Sequence, residues 1–461
     1  MRVDPQNPPS WSRKWHQPGG YKELLTIAFP LMLSEFIYMA THAVDRLFLA
    51  HYDENALAAA LPASILLINI IILPAMIIYY LTAFVAQYRG EQRHDQARGS
   101  LSPGIWFSLF SYPFMLLLIP FSESIFLSAG HSIELVKGET IYLNILLVGS
   151  LFSFITWSLV AYFIGWEKTH WVTLASTLAM VVNVILDYLF IFDHGWIGGW
   201  GLEGAAWATN ISILVEAVFL LAVVRYLPIE GRFTLKSLRY NRKSLWQLIK
   251  YGGPAGLESF FMFFGIFIFT LIVGKLGSHA LALSNVGWTL NLMVLVPFVG
   301  LSSALTTLSG RYVGEKLAEK GVLVTHNAVR FLFMVSLVAF LPFFLVPEIL
   351  LQIFNIGGQK AIAEGVFILH LVVVFTLGGA IDMIYAGTLK GAGDTLWPLY
   401  INIILTLVFM IPVLIILDHF FTPSLTNYWL LFTFWLLLRG GVMALRFYQG
   451  KWKTMSVTQS N

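Results

Sequence analysis

Twelve stretches of about twenty or more residues run through this chain nearly free of charge, near 23–49, 57–86, 100–121, 138–162, 171–193, 202–227, 247–276, 282–311, 323–347, 362–390, 395–418 and 426–448. A bilayer core about 30 Å thick takes roughly 20 apolar residues of helix to cross. Inside it, backbone N–H and C=O groups have no water to turn to, which leaves only helices or a closed barrel. The runs are long and lack the short alternating pattern of barrel strands. An all-α integral membrane protein with twelve transmembrane helices is therefore expected. Composition agrees, with 57% hydrophobic and 11% charged residues against about 25% charged in soluble domains.

The twelve runs form two sets of six. Displaced by 224 residues, the chain falls on itself without a gap: Pro30 meets Pro254, Ala56-Leu57-Ala58 meets Ala280-Leu281-Ala282, and Tyr88, Gly90 and Glu91 meet Tyr312, Gly314 and Glu315. Further along, the match moves to 226, where Gly165, Thr169 and Trp171 meet Gly391, Thr395 and Trp397. Six is even, so both halves enter the membrane from the same side. Two six-helix lobes related by a pseudo-two-fold axis along the membrane normal are expected, with the place for work between them, as in secondary transporters. The one long polar stretch is 228–246. The organisation reads as a tail over 1–22, an amino-terminal lobe over 23–227, a linker over 228–246, a carboxy-terminal lobe over 247–450 and a tail over 451–461.

Charge placement orients the bundle. Arg89, Arg93 and Arg98 follow the second run, Arg311, Lys316 and Lys320 the eighth, and Arg232, Lys236, Arg239, Arg242 and Lys243 lie in or beside the linker. The turn His51-Tyr52-Asp53-Glu54-Asn55 has no lysine or arginine. The positive-inside rule then puts both termini and the linker in the cytoplasm of a multi-pass protein of the cell (inner) membrane. Topology accounts for these basic residues without a nucleic-acid partner. Residues 1–20 contain no apolar run, which argues against a cleavable signal peptide; Trp11, Arg13, Lys14 and Trp15 suit the inner interface. The chain has no cysteine, which excludes disulfides, thiol catalysis and Cys-based metal sites.

An ionisable group inside a span is costly and marks function until shown otherwise. Asp45 lies in the outer part of the first run, next to Arg46, with which it is also placed to pair. Asn183 and Asp187 stand at i and i+4 in the fifth run, on one helical face. Thr209 and Tyr142 are placed to join them. Carboxylates, an amide and hydroxyls are hard oxygen ligands suited to a proton or to sodium. Two carboxylates set close together also favour proton uptake by one of them. Glu35 and His42 are seven residues apart on a neighbouring face of the first run, and His42 is spaced to relay protons with Asp45. Glu258 and Asp382 supply acids in the second half, either for a second cation or substrate site or as partners of a polar group across the bundle. Pro30 and Pro254 remove a helical hydrogen bond inside the first span of each half and invite a bend. Phe260, Phe261, Phe263, Phe264 and Phe267 offer aromatic surface of the kind that suits bulky cations, although most such rings face lipid.

Several strings resemble the MATE family of multidrug and toxic-compound extrusion transporters. They are Ala28-Phe29-Pro30-Leu31 with Val44-Asp45, Asn183-Val184-Ile185-Leu186-Asp187 and Gly204-Ala205-Ala206-Trp207-Ala208-Thr209, then Gly253-Pro254-Ala255-Gly256 and Leu389-Lys390-Gly391-Ala392-Gly393-Asp394-Thr395. Their order and spacing agree along nearly the whole chain, and the likeness is closest to the DinF-like branch. The resemblance implies alternating access of two lobes and export of drugs driven by inward H+ or Na+. It places the coupling ion on Asp45, Asn183, Asp187 and Thr209, with Tyr142 nearby and Pro30 as the bending point. The chain departs from NorM-type members in the seventh span, where their acid lies one turn beyond Glu258 and this chain has Met262, and Asp382 is shifted by about a turn in the tenth.

The expected function is a secondary antiporter exporting amphipathic or cationic compounds in exchange for H+ or Na+, working as a monomer in the bilayer on small drug-like molecules and using no cofactor beyond the ion. The alternative is a lipid or oligosaccharide flippase of the same superfamily, which twelve spans and intramembrane acids disfavour. An enzyme is not expected: the chain shows no paired metal-binding histidines, no GxSxG elbow and no phosphate-binding loop. A channel would want a ring of pore acids, which these scattered groups do not form.

Overall fold

A computed structural model describes residues 15–195, 198–226, 234–354, 356 and 358–458. Trp11, Arg13, Lys14 and Arg232 lie outside the described residues. Among the described residues, twelve helices are long and apolar enough to cross a membrane: α1 Tyr21–Tyr52, α2 Glu54–Gly90, α3 His94–Ser128, α4 Ile133–Gly165, α5 Thr169–Ile191, α6 Gly201–Tyr226, α7 Arg242–Gly274, α8 Ser278–Gly314, α9 Ala318–Leu345, α10 Ala361–Ala392, α11 Leu396–Phe420 and α12 Leu425–Tyr448. Among the described residues the only β pairing is an isolated bridge between Asp193 and Gly198.

The repeat is visible in backbone geometry. A residue other than glycine rarely adopts a left-handed φ, yet Gln92 and Lys316, 224 apart, both do so at φ 59°. They end α2 and α8 identically: Arg93 N–H donates to Tyr88 O at 2.8 Å, and Leu317 N–H to Tyr312 O at 2.8 Å. This is the 6→1 bond of a Schellman stop. Glu167 (φ 58°) and Gly393 (φ 106°), 226 apart, repeat it after α4 and α10, with Lys168 N–H on Phe163 O at 2.9 Å and Asp394 N–H on Leu389 O at 3.0 Å. Packing follows the same rule. α4 lies against α2, α3 and α6, while α10 lies against α8, α9 and α12. In the most apolar stretch of both α4 and α10, 61% of residues are buried, against 22–50% in the other ten helices. These two are the central helices.

The chain separates into two compact units, residues 33–256 and residues 1–32 with 257–461. Each border falls two residues after a repeat-related proline, Pro30 in α1 and Pro254 in α7, and the described part of the polar stretch, 234–246, lies within one unit. The opening of α1 is tied to the second unit by Glu23, which accepts hydrogen bonds from Arg311 and Tyr312 of α8. Gly300 admits it: a Cβ there would lie 2.6 Å from Met32 N. The opening of α7 packs in the other unit, where a Cβ at Gly256 would lie 2.8 Å from Leu73 O.

Core chemistry differs between the units. In residues 33–256, Leu143, Leu147, Phe154, Ile78 and Ala63 fill the space among α2, α4 and α6. The other unit uses a cluster of aromatic rings, mostly edge-on or tilted: Phe269, Trp288, Phe375, Trp429 and Phe432 have centroids 4.7–6.3 Å apart, and Trp429 Nε1 donates to Ser284 Oγ at 3.0 Å. Aromatic contacts of this kind add about 0.5–1.5 kcal/mol each beyond burial.

Candidate functional site

In the unit of residues 33–256, three of the polar residues singled out above converge between α1 and α5. Asp45 is 4% exposed, Asn183 1% and Asp187 0%. The i, i+4 spacing of Asn183 and Asp187 turns both toward α1. With its amide oriented to donate, Asn183 Nδ2 lies 2.8 Å from Asp45 Oδ1 and 3.2 Å from Asp187 Oδ2. The Asp45 and Asp187 carboxylates are within hydrogen-bonding reach of each other. Asp187 Oδ1 has no hydrogen-bond partner. A wholly buried carboxylate oxygen left unpartnered is costly, and like charges this close favour a proton or a cation between them.

Around this trio the predicted neighbours divide. Tyr142 of α4 sits above it, buried, close enough to sense both carboxylates and with its hydroxyl in reach of Ser64 on α2. Thr209 does not reach the carboxylates: its Oγ1 donates to Ala205 O of α6 at 3.0 Å. Asp45 is paired with His42, whose Nδ1 is 3.6 Å away, and not with Arg46. Asn210, one residue beyond Thr209, joins α6 to α4 by donating to Ile145 O at 2.7 Å. Gly149 makes room for it, since a Cβ there would lie 1.9 Å from the Asn210 amide oxygen.

Glu35 lies on α1 away from the trio. It is grouped with Glu216 of α6 through Tyr38 and Tyr79, each of which senses both acids. Ser176 of α5 donates to Glu216 Oε1 at 3.1 Å.

Glu258 and Asp382 meet in the other unit, and they meet there with cations. Arg439 of α12 is 0% exposed, and its Nη2 lies 3.2 Å from Glu258 Oε1 and 2.9 Å from Asp382 Oδ2. Lys390 Nζ holds Glu258 Oε2 at 2.5 Å. Arg439 also lies over the Trp435 ring at 5.3 Å. α12 comes close enough because residue 440 is glycine: a Cβ there would lie 2.7 Å from Gly378 O. The Glu258 backbone carbonyl accepts from Asn402 Nδ2, beside a π-helical segment at Ile404–Met410 in α11. Two acids and two bases make this cluster formally neutral.

Arg439 and Glu216 are the residues that sequence reasoning passed over. Both were open to the argument used for Asp45, as ionisable groups inside apolar runs, in Leu438-Arg439-Gly440 and Val215-Glu216-Ala217.

Comparisons with known proteins bear on family and fold. A family model described as MatE matches residues 30–189 and 254–416, one match in each half of the repeat. A protein of Thermotoga maritima named "Probable multidrug resistance protein NorM" is 27% identical over 444 residues, covering 95% of this chain and 94% of the relative. Among solved structures, one described as the outward-facing conformation of a multidrug resistance MATE family transporter superposes with a TM-score of 0.85 at 21% identity, covering all of both chains. A crystal structure of MATE in the bent conformation gives 0.84 at 21%, covering 98% of this chain and 99% of the other. At these identities the structural likeness is one of fold.

Proposed function

As the chain belongs to the MatE family, we propose that it is a membrane antiporter that exports amphipathic or cationic drug-like molecules in exchange for H+ or Na+. The observation that carries this reading is the buried trio Asp45, Asn183 and Asp187: two close carboxylates that, among the described residues, form no ion pair with a lysine or arginine, and one oxygen of Asp187 unpartnered. The multidrug-resistance naming of the relatives supports the substrate class. The intramembrane acids and the acid-neutralised cations of the other unit favour drug export over a flippase with a basic cavity. A place in the cell (inner) membrane with both termini in the cytoplasm, and action as a monomer, belong to the same proposal, as does the DinF-like placement of the ion on the amino-terminal half.

A ligand shifts a conformational equilibrium only through different affinities for its states. Proton or sodium binding removes the repulsion between Asp45 on α1 and Asp187 on α5. That changes how the outer part of α1, beyond Pro30, packs on α5. Drug and ion exchange if each favours a different packing of this helix. Asn183 separates the two ions chemically. In the orientation that donates to both carboxylates it suits the acid pair with or without a proton. Turned over, it offers sodium an oxygen ligand in place of two donors.

The test is transport by purified protein in liposomes loaded with ethidium, under a proton gradient and, separately, a sodium gradient. Export is expected to follow one of the two. Export indifferent to both gradients overturns the antiporter reading.

A further inference from the structure

Where α3 turns into α4, a wholly buried acid is joined to a group that itself gains and loses protons. Glu139, in the second turn of α4, is 0% exposed, a rare place for a glutamate without a charged partner. His131 Nδ1 lies 2.7 Å from its Oε1. The other oxygen, Oε2, is buried with no hydrogen-bond partner. The His131 side chain is 30% exposed, so the pair runs from the surface of the turn to a closed interior. The chain sets the imidazole there before Glu139 is met. Gly130 adopts φ 82° and ends α3 with His131 N–H on Phe126 O at 3.4 Å. The buried Phe126 ring stacks on the imidazole, with centroids 6.2 Å apart.

Other charges at this end stay clear of the pair. Glu54 of α2, Glu123 of α3 and Glu203 of α6, with Glu134 and Lys137 on α4 itself, are all exposed. Among the described residues none of the five forms an ion pair, and α5 brings Asp187, which the trio holds. Glu139 also stands beside the exchange site. It precedes Tyr142 by three residues on α4, about 4.5 Å along the axis and on the same side. Tyr142 shares a buried core with Leu49 of α1 and Ile191 of α5, each four residues, one turn, beyond Asp45 and Asp187.

We propose that His131 and Glu139 form a proton-binding site separate from Asp45 and Asp187, loaded from the outer solution through the imidazole. The inference rests on the exchange reading above, in its orientation with the start of α4 outside, and specifies H+ as the ion that enters. With Nδ1–H donating to Glu139, a proton from water binds Nε2. The Nδ1–H bond then breaks as an O–H bond forms at Glu139 Oε1, and the imidazole is left neutral with its proton on Nε2. Loaded in this way, the pair is neutral. Emptied, it leaves charge on a buried carboxylate with one oxygen unpartnered, a costly state. A guanidinium at this place would hold the carboxylate permanently, as Arg439 holds Asp382; an imidazole can let the proton go.

The experiment follows the infrared absorption of protonated carboxyl groups in the full-length protein in detergent after a jump from alkaline to mildly acid pH. Glu139→Gln, which keeps an oxygen for His131 Nδ1–H, is expected to lose one carboxyl contribution from the band that rises. Glu139→Asp, which keeps a carboxyl, is expected to move that contribution instead. In His131→Gln the band should reach full height about tenfold or more slowly, in the direction expected for a removed proton-transfer group. A purely structural histidine–glutamate contact would keep its proton on the imidazole and give no carboxyl band at Glu139. A band unchanged in both Glu139 variants therefore overturns the site, and an unchanged rise in His131→Gln overturns loading through the imidazole. In liposomes, Glu139→Gln is expected to slow proton-driven ethidium export by about tenfold. If a sodium gradient drives export and a proton gradient does not, entry of H+ here fails and antiport stands. If neither gradient drives export, the exchange reading itself fails, and the infrared band still decides whether Glu139 takes up a proton.

Discussion

The two acid clusters sit on duplicated scaffolds and solve the problem of buried charge in opposite ways. In residues 33–256, Asp45 and Asp187 are joined by an amide donor, and the basic group paired with Asp45 is a histidine, His42, at 3.6 Å. In the other unit, Glu258 and Asp382 share Arg439, and Glu258 takes Lys390 as well. A buried carboxylate needs a positive partner. One cluster carries permanently charged partners on its own helices; the other has a histidine, charged only when protonated, and leaves room for a proton or cation from outside. The repeat makes the contrast sharper. At an offset of 224, Asp45 meets Phe269, and at 226, Asn183 and Asp187 meet Phe409 and Val413. Duplication therefore supplied the helices and their stops, while the charge was arranged separately in each half.

The contrast is broken most decisively by neutralising one acid in each cluster and comparing function with stability. Asp45→Asn is expected to abolish ethidium export in liposomes while leaving thermal unfolding in detergent little changed, because it relieves repulsion between like charges. Retained export would move the coupling site elsewhere. Arg439→Met should do the reverse. It leaves Asp382 buried and unpaired, a loss of about 3–5 kcal/mol seen as a large fall in Tm. Adding Asp382→Asn should restore most of it, since Glu258 keeps Lys390. If Arg439→Met is as stable as the unaltered protein, the neutral cluster is not a structural clamp. Lys390→Met should cost less, about 1–2 kcal/mol, because Glu258 retains Arg439.

How far the chain could be read in advance follows the same division. Helix number, the repeat and its stops are local properties. Apolar runs and pairs such as Pro30 with Pro254 display them directly. Asn183 and Asp187 were legible as a pair because four residues bring side chains to one helical face. Their meeting with Asp45, 138 residues away from Asn183, depends on how α1 is rotated against α5, and no spacing records that. Nor did spacing decide between the two readings of Glu258 and Asp382. That turned on Arg439 entering from α12 past Gly440, whose missing Cβ allows the approach to α10. The unit borders at residues 32 and 256 were hidden for a related reason. They fall inside continuous helices, where hydropathy is uniform, and are set by contacts such as Glu23 with Arg311.

The smallest expected effect tests a residue that its place in the sixth run and family likeness both brought forward. Thr209 was placed with the ion by its position at the start of the sixth run and by the string Ala208-Thr209, yet its hydroxyl is satisfied within α6 by the Ala205 carbonyl at 3.0 Å. A hydroxyl bonded to its own helix contributes at most about 1 kcal/mol, and removing it leaves a carbonyl that still accepts its normal helical hydrogen bond. Thr209→Ala is therefore expected to change the ion dependence of ethidium export less than about threefold, under 1 kcal/mol, against total loss in Asp45→Asn. A proton shared by two carboxylates needs no third oxygen, whereas sodium, which wants several, would draw one from Thr209 by rotating its side chain. A large loss of sodium-driven export in Thr209→Ala would thus show that the site closes around an ion through a movement of this hydroxyl, and would turn the choice between the two ions toward sodium.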